Sequence, residues 1–254
     1  MARLIPNPIL KVLSTISSQG VRHLLMGGQA CVFYGAAEFS RDCDIVIVDD
    51  DDNLLKLKAA LAELKAECIA IPPFDRRFWE RGHAIHFRCQ HPEAKAIRLD
   101  VMTKMRGCDA FEELWERRLT LQDADGMVYE ILGIEDLVKA KKTQRDKDWP
   151  MIQRLVDAHY DTFKEDPTDD QIGFWLRESR TPEVLIAVAA EYPKLRDQLL
   201  KTRRPVLQET MSASRTAVKQ ALHQEEFNER RADELYWQPL KQELQSLRSR
   251  RTGK

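Results

Sequence analysis

The sequence predicts an α/β (α+β) protein, a mixed sheet flanked by helices, followed by an all-helical C-terminal extension. Three observations predict it. Short apolar runs of strand length alternate with amphipathic runs of helix length as far as Tyr160. After Asp166-Pro167-Thr168-Asp169-Asp170 only helical spacing remains. Two of the strand-like runs carry aspartates among aliphatic neighbours: Asp42-Cys43-Asp44-Ile45-Val46-Ile47-Val48, and Ile97-Arg98-Leu99-Asp100-Val101-Met102. The expected division is residues 1–166 for the sheet domain and 167–254 for the helical extension.

The elements follow in order. Ile9 to Ile16 has helical spacing after Pro6 and Pro8, and Gly20 ends it. Val21 to Met26 reads as a strand running into Gly27-Gly28, with a helix from Gln29 to about Gly35. Cys43 to Val48 reads as a buried strand. Asp49 to Asp52 forms a loop and the first turn of a helix continuing from Leu54 to Leu64, where acidic residues suit the positive end of the helix dipole. Strands are expected at Cys68 to Ile71, stopped by Pro72-Pro73, at His83 to Arg88 and at Ala96 to Met102. A helix at Phe111 to Arg117 and a strand at Met127 to Leu132 follow. Gly133-Ile134-Glu135-Asp136 opens a helix through Asp148, and Pro150 to Tyr160 forms another. In the extension, Leu240, Leu244 and Leu247 share a helical face, as do Met211, Val218, Ala221 and Leu222, with Ser214 interrupting that stripe. Arg250 to Lys254 is expected to be disordered.

Composition narrows the class. The chain has 254 residues, 43% hydrophobic and 32% charged, with net charge −1, a soluble globular profile. No apolar run approaches the ~20 residues of a membrane span, and the N-terminus lacks the apolar stretch of a signal peptide. Five scattered cysteines without a Cys-x-x-Cys pair suit reduced thiols and a cytoplasmic location. Residues 201–254 hold 12 Lys and Arg against seven Asp and Glu, a local excess of +5. Such a tail suits nucleic acid, a solvated helix face, or pairing with its own acidic half.

The chemistry centres on Asp42, Asp44 and Asp100. Strand side chains alternate faces, so Asp42 and Asp44 project to the same side of one strand, towards a third carboxylate on a neighbouring strand. An oxygen-only pocket of this kind is what magnesium prefers. The plainer reading is a strand-end pair of solvated aspartates and an unrelated Asp100. Gly27-Gly28 without Cβ atoms lets the backbone approach a phosphate, with Gln29 as a donor beside it; alone, the pair reads as an ordinary strand-to-helix turn.

These residues resemble the signature of the nucleotidyltransferase superfamily. There a Gly-Gly or Gly-Ser pair precedes an acidic-hydrophobic-acidic motif, and a third carboxylate lies on a later strand. Ile134-Glu135-Asp136-Leu137-Val138-Lys139-Ala140-Lys141-Lys142 with Arg145-Asp146-Lys147-Asp148 is similar to a helix of minimal nucleotidyltransferases and AbiEii-type toxins. The resemblance covers about Val21 to Tyr160. This chain has Glu38 where those relatives often carry Arg, its own Arg being Arg41, and Gly28 where they often carry Ser. The resemblance implies catalytic and metal-holding roles for Asp42, Asp44 and Asp100. It implies nucleotide contacts from Gly27, Gly28, Gln29, Arg41, Lys142 and Arg145, with Mg2+ or Mn2+ as cofactor. It further implies transfer of a nucleoside monophosphate from NTP to a hydroxyl of a protein, a tRNA or a small molecule. A toxin–antitoxin or defence setting belongs to the same implication, with a cognate antitoxin or self-association through the helical tail. The contrasting reading is a non-catalytic member that binds a protein or nucleic-acid partner.

Other clusters have plainer readings. His83, His86, Cys89 and His91 suggest zinc, but His86 points to the opposite strand face from the other three. Phe74, Phe78 and Trp79 beside Arg76 and Arg77 could stack a base, or pack a loop onto the core. Tyr236-Trp237 reads as a packing anchor. Lys139 to Asp148 could be a charged surface with internal ion pairs.

Overall fold

The computed structural model describes residues 8–202 and 204–252. It shows a mixed α/β core with a seven-stranded sheet flanked by helices, and an all-helical C-terminal region. Two compact units result. The first comprises the residues up to Phe33, Ala37–Leu137, and those from Trp237 onward; the second comprises Tyr34–Ala36 and Val138–Tyr236. The sequence boundary at residue 166 falls within the second unit. Among the described residues no helix is long and apolar enough to cross a membrane.

In the first unit the strands are β1 (His23–Met26), β2 (Asp42–Ile47), β3 (Glu67–Cys68), β4 (Ile85–Arg88), β5 (Arg98–Met102), β6 (Leu119–Gln122) and β7 (Val128–Ile131). Their order is β3-β4-β5-β2-β1-β7-β6. β2 lies at the centre, antiparallel to β1 and parallel to β5. Cys43, Ile45, Leu99 and Val101 are fully buried and pair across β2 and β5, which sets the register and commits the intervening aspartates to the other face. Helix α1 (Pro8–Ser18) buries Ile9, Val12, Leu13 and Ile16 and packs on α3 (Asp51–Glu63). Asp50 caps α3 by accepting from the Asn53 amide. Asn53 is itself buried and ties two strand ends together: its side chain bonds both backbone groups of Arg22 and the carbonyl of Val48.

Several expectations change. The strand expected at Cys68 to Ile71 shrinks to Glu67–Cys68, because Pro72-Pro73 can donate nothing to a ladder. Strand β6 has no counterpart in the sequence expectation; it forms a hairpin with β7 around Asp123, whose carboxylate accepts from the Asp125 and Met127 amides and the Tyr129 hydroxyl. The short helix α4 (Arg76–Glu80) is likewise new. Its Trp79 is buried and donates to the Val101 carbonyl, while Phe74 meets Trp79 and Phe87 edge-on, so this aromatic group packs the core. Helix α5 (Phe111–Glu116) is as expected. Helix α6 (Ile134–Lys141) stops before Asp148, since Thr143 donates to Asp148 and accepts from the Arg145 amide, closing a local turn.

The second unit contains α7 (Asp148–Phe163), α8 (Asp169–Glu178), α9 (Pro182–Glu191), α10 (Pro193–Thr202), α11 (Val206–Glu209) and most of α12 (Arg215–Thr252). Ser214 does not interrupt a stripe. It caps α12 by accepting from the Ala217 amide, while Val218 and Leu222 are buried and Met211 lies outside the helix, exposed. Of the expected anchor Tyr236-Trp237, Tyr236 is 38% exposed and Trp237 half-buried. The disorder expected at Arg250 to Lys254 is replaced by helix through Thr252; Gly253 and Lys254 lie outside the described residues.

The core of this unit is partly ionic. Arg204 is buried and donates to the carbonyls of Leu176 and Ser179, satisfying the C-terminal end of α8, and to Glu225. Arg180, stacked over Trp149, donates to Glu225 as well and to the Leu222 carbonyl. Burial raises the Glu225 carboxyl, but the two arginines hold it below its usual range. Replacing Arg204 by Met orphans two carbonyls and removes one of the two arginines from Glu225. Urea unfolding should show a loss of about 3 kcal/mol; a change within about 0.5 kcal/mol would mean the network carries no stability.

Candidate functional site

The site starts with strand register. Asp44 pairs with Asp100 across the parallel β2 and β5, and Asp42 pairs with Arg98. On the far side of β5, His86 pairs with Asp100 and Arg88 with Arg98. Directly paired residues share a face, as do residues two apart. One sheet face therefore carries Asp44, Asp100 and His86 in one row and Asp42, Arg98 and Arg88 in the next. The three sequence-predicted carboxylates are on adjacent strands and point to the same side.

Asp100 is 8% exposed. Its Oδ1 accepts from Arg98 Nε at 2.7 Å and lies 2.9 Å from His86 Nδ1. Burial pushes the Asp100 carboxyl up, but the bonds from His86 and Arg98 outweigh it and leave it below the usual range. Arg98 is raised by its bond to Asp100 and by the nearby Asp42 and Asp44. His86 Nδ1 also lies 3.1 Å from Arg98 Nη2. One ring nitrogen can donate to Asp100 or accept from Arg98, so the tautomer decides which bond forms. The sequence reading does not single out Arg98 or His86 as a partner of Asp100. The signal is present for Arg98, which stands two residues before Asp100 on a strand.

The glycine pair is built against these residues. Gly27 follows β1, whose Met26 pairs with Asp44, and has φ +68°. A Cβ there would lie 2.0 Å from Asp44 Oδ2. A Cβ on Gly28 would lie 2.6 Å from Ser40 Oγ, which donates to the Asp42 carbonyl. Gly27 therefore excludes a side chain for the sake of the carboxylate, whereas a side chain at Gly28 would require Ser40 to shift. Helix α2 (Gly27–Phe33) begins here and is only seven residues long, so its dipole contributes little. Gln29 on α2 is 8% exposed, and its Oε1 has no hydrogen-bond partner among the described residues. A buried unpaired acceptor costs about 1–3 kcal/mol and marks a place for a donor.

The basic residues divide. Arg41 is exposed next to Asp42, over the ring of Phe39. Lys142 and Arg145 belong to the second unit, where Lys142 pairs with Glu178 at 2.7 Å and Arg145 with Asp148 at 2.7 Å. Asp136, buried on α6, accepts two bonds from Arg117, so that part of the resembling stretch anchors structure.

No protein-family model matches this sequence, and no curated protein matches it. The reading therefore rests on the residues themselves.

Among the described residues no group of three or more His, Cys, Asp and Glu side chains is placed as a ready metal-ligand set. Asp42, Asp44 and Asp100 share one sheet face, and carboxylate oxygens are the donor type that hard divalent cations take. The glycine cradle against Asp44 and the unpaired Gln29 oxygen fit a polar ligand beside it. The histidines and cysteine considered for zinc go elsewhere: His83 to Glu243, His86 to Asp100, and His91 to the Glu93 amide, with Cys89 fully buried.

Gly27→Ala tests the cradle. Positive φ and the clash with Asp44 together should lower stability by about 2–4 kcal/mol in urea unfolding. A Gly27→Ala variant as stable as wild type would show that Asp44 is free to leave this position.

Proposed function

We propose that this chain is a magnesium- or manganese-dependent nucleotidyltransferase that moves a nucleoside monophosphate from NTP to an acceptor hydroxyl. The observation that carries the reading is the pairing of Asp44 with Asp100, with Asp42 on the same face and Gly27 against Asp44. Asp42 and Asp44 would hold the cation, with Asp100 sharing it. When bound, the cation would offset triphosphate charge and stabilise the departing pyrophosphate. Asp100 would take the proton of the acceptor hydroxyl; His86 and Arg98, which hold it below the usual carboxylate range, keep it ionised but make it a weaker base. Gly27 and Gly28 leave room for phosphate at the backbone, the unpaired Oε1 of Gln29 would accept from a ligand hydroxyl, and Arg41 adds positive charge at the exposed rim. Lys142 and Arg145 keep their ion pairs with Glu178 and Asp148 and are given no part in this reading.

The acceptor would be a protein side chain, a tRNA end or a small molecule. The family resemblance adds a cytoplasmic toxin–antitoxin or defence role, with a cognate antitoxin or a second copy as partner. A second reading, a non-catalytic partner-binding protein, is favoured by one observation: Asp100 is already satisfied by Arg98 and His86.

The two readings separate when the protein is incubated with each labelled NTP, magnesium or manganese, and cell extract. Label should move to a defined acceptor, and Asp44→Asn should slow transfer by about 10²-fold or more. Equal transfer by Asp44→Asn, or none by wild type with any NTP and either metal, would overturn the catalytic reading.

A further inference from the structure

Phe39 is the most exposed large apolar side chain among the described residues, 67% accessible. It stands in the loop that leads to Asp42, where a solvent-facing aromatic ring contributes nothing to the core. Its neighbour Ser40 is held. Ser40 Oγ donates to the Asp42 carbonyl at 3.0 Å and sits against Gly28. The loop that presents Phe39 is therefore pinned to the same glycine turn and the same strand as the candidate site.

The guanidinium carbon of Arg41 lies 6.0 Å from the centre of the Phe39 ring. That is the outer edge of a direct cation–π contact. A planar ring held between two other planes needs roughly 7 Å, since each stacked contact takes roughly 3.5 Å. Arg41 is exposed, so it is free to move outward and admit a purine or pyrimidine between the two groups.

We propose that Phe39 and Arg41 form a clamp on the nucleobase of the nucleoside triphosphate; this rests on the nucleotidyl-transfer reading above. Every base has a π-face, and stacking reads no base edge, so the clamp holds all four bases with little preference. The phosphates are held by other groups. Base and phosphate recognition are thus separable by substitution.

The test uses the full chain with magnesium and three probes: a fluorescent 2-aminopurine riboside triphosphate, each natural NTP, and inorganic tripolyphosphate. In wild type the fluorophore should be quenched on binding and displaced by all four NTPs with similar affinity. Phe39→Ala should weaken the nucleotides by about 5- to 150-fold, abolish the quenching, and leave tripolyphosphate affinity unchanged. Phe39→Trp should restore both affinity and quenching. Wild-type nucleotide affinity in Phe39→Ala would overturn the clamp while leaving the nucleotidyl-transfer reading standing. Absence of nucleotide binding by wild type itself would overturn both. Equal weakening of tripolyphosphate and NTP in Phe39→Ala would also overturn the clamp, because the loss would then lie outside the base.

Discussion

Like charges held on one face of the central strands are the constraint on which the rest of the site depends. Apolar burial of Cys43, Ile45, Leu99 and Val101 fixes the register of β2 against β5 and forces Asp44 opposite Asp100. Like charges set side by side on one face of paired strands repel. The molecule meets this with internal cations and donors. Arg98 and His86 bond Asp100, and the Gly27 turn makes room for Asp44 without a side chain between them. A divalent cation among the three carboxylates would relieve such repulsion.

Arg98 and His86 then act as positioning residues. They keep Asp100 charged although it is largely buried, and they hold it on a strand two places in from the edge of the sheet. Cys43, between the two aspartates in sequence, faces the opposite side and is fully buried. Burial, followed by the charge of Asp44, pushes its thiol far above its ordinary value, so it takes no part as a nucleophile.

Much of the first unit was legible because its signals are local. Period-two alternation placed Asp42 and Asp44 on one face, and the aliphatic run around Asp100 marked β5. The glycine pair was legible as a turn, but not its cause, since the clash with Asp44 arises only after β1 and β2 pair. Strand β6 was lost because Leu119–Gln122 is a short exposed run of mixed character, recognisable only with its hairpin partner. Charged residues were the least legible. Lys142, Arg145 and Arg204 look alike in sequence, yet their partners Glu178, Asp148 and Glu225 turn them into structural ion pairs, two of them over long sequence separations. Periodicity reports which face a residue occupies; it carries no information about which distant acid meets it.

The most direct measurement of the central claim is calorimetric titration of manganese into the full chain in the presence of NTP, comparing wild type with Asp44→Asn. If Asp42, Asp44 and Asp100 act as one cation site, wild type should bind manganese and the variant should lose at least about tenfold in affinity, about 1.4 kcal/mol. Equal affinity in the two proteins would contradict the account, because the paired carboxylates would then be held together for no cation at all.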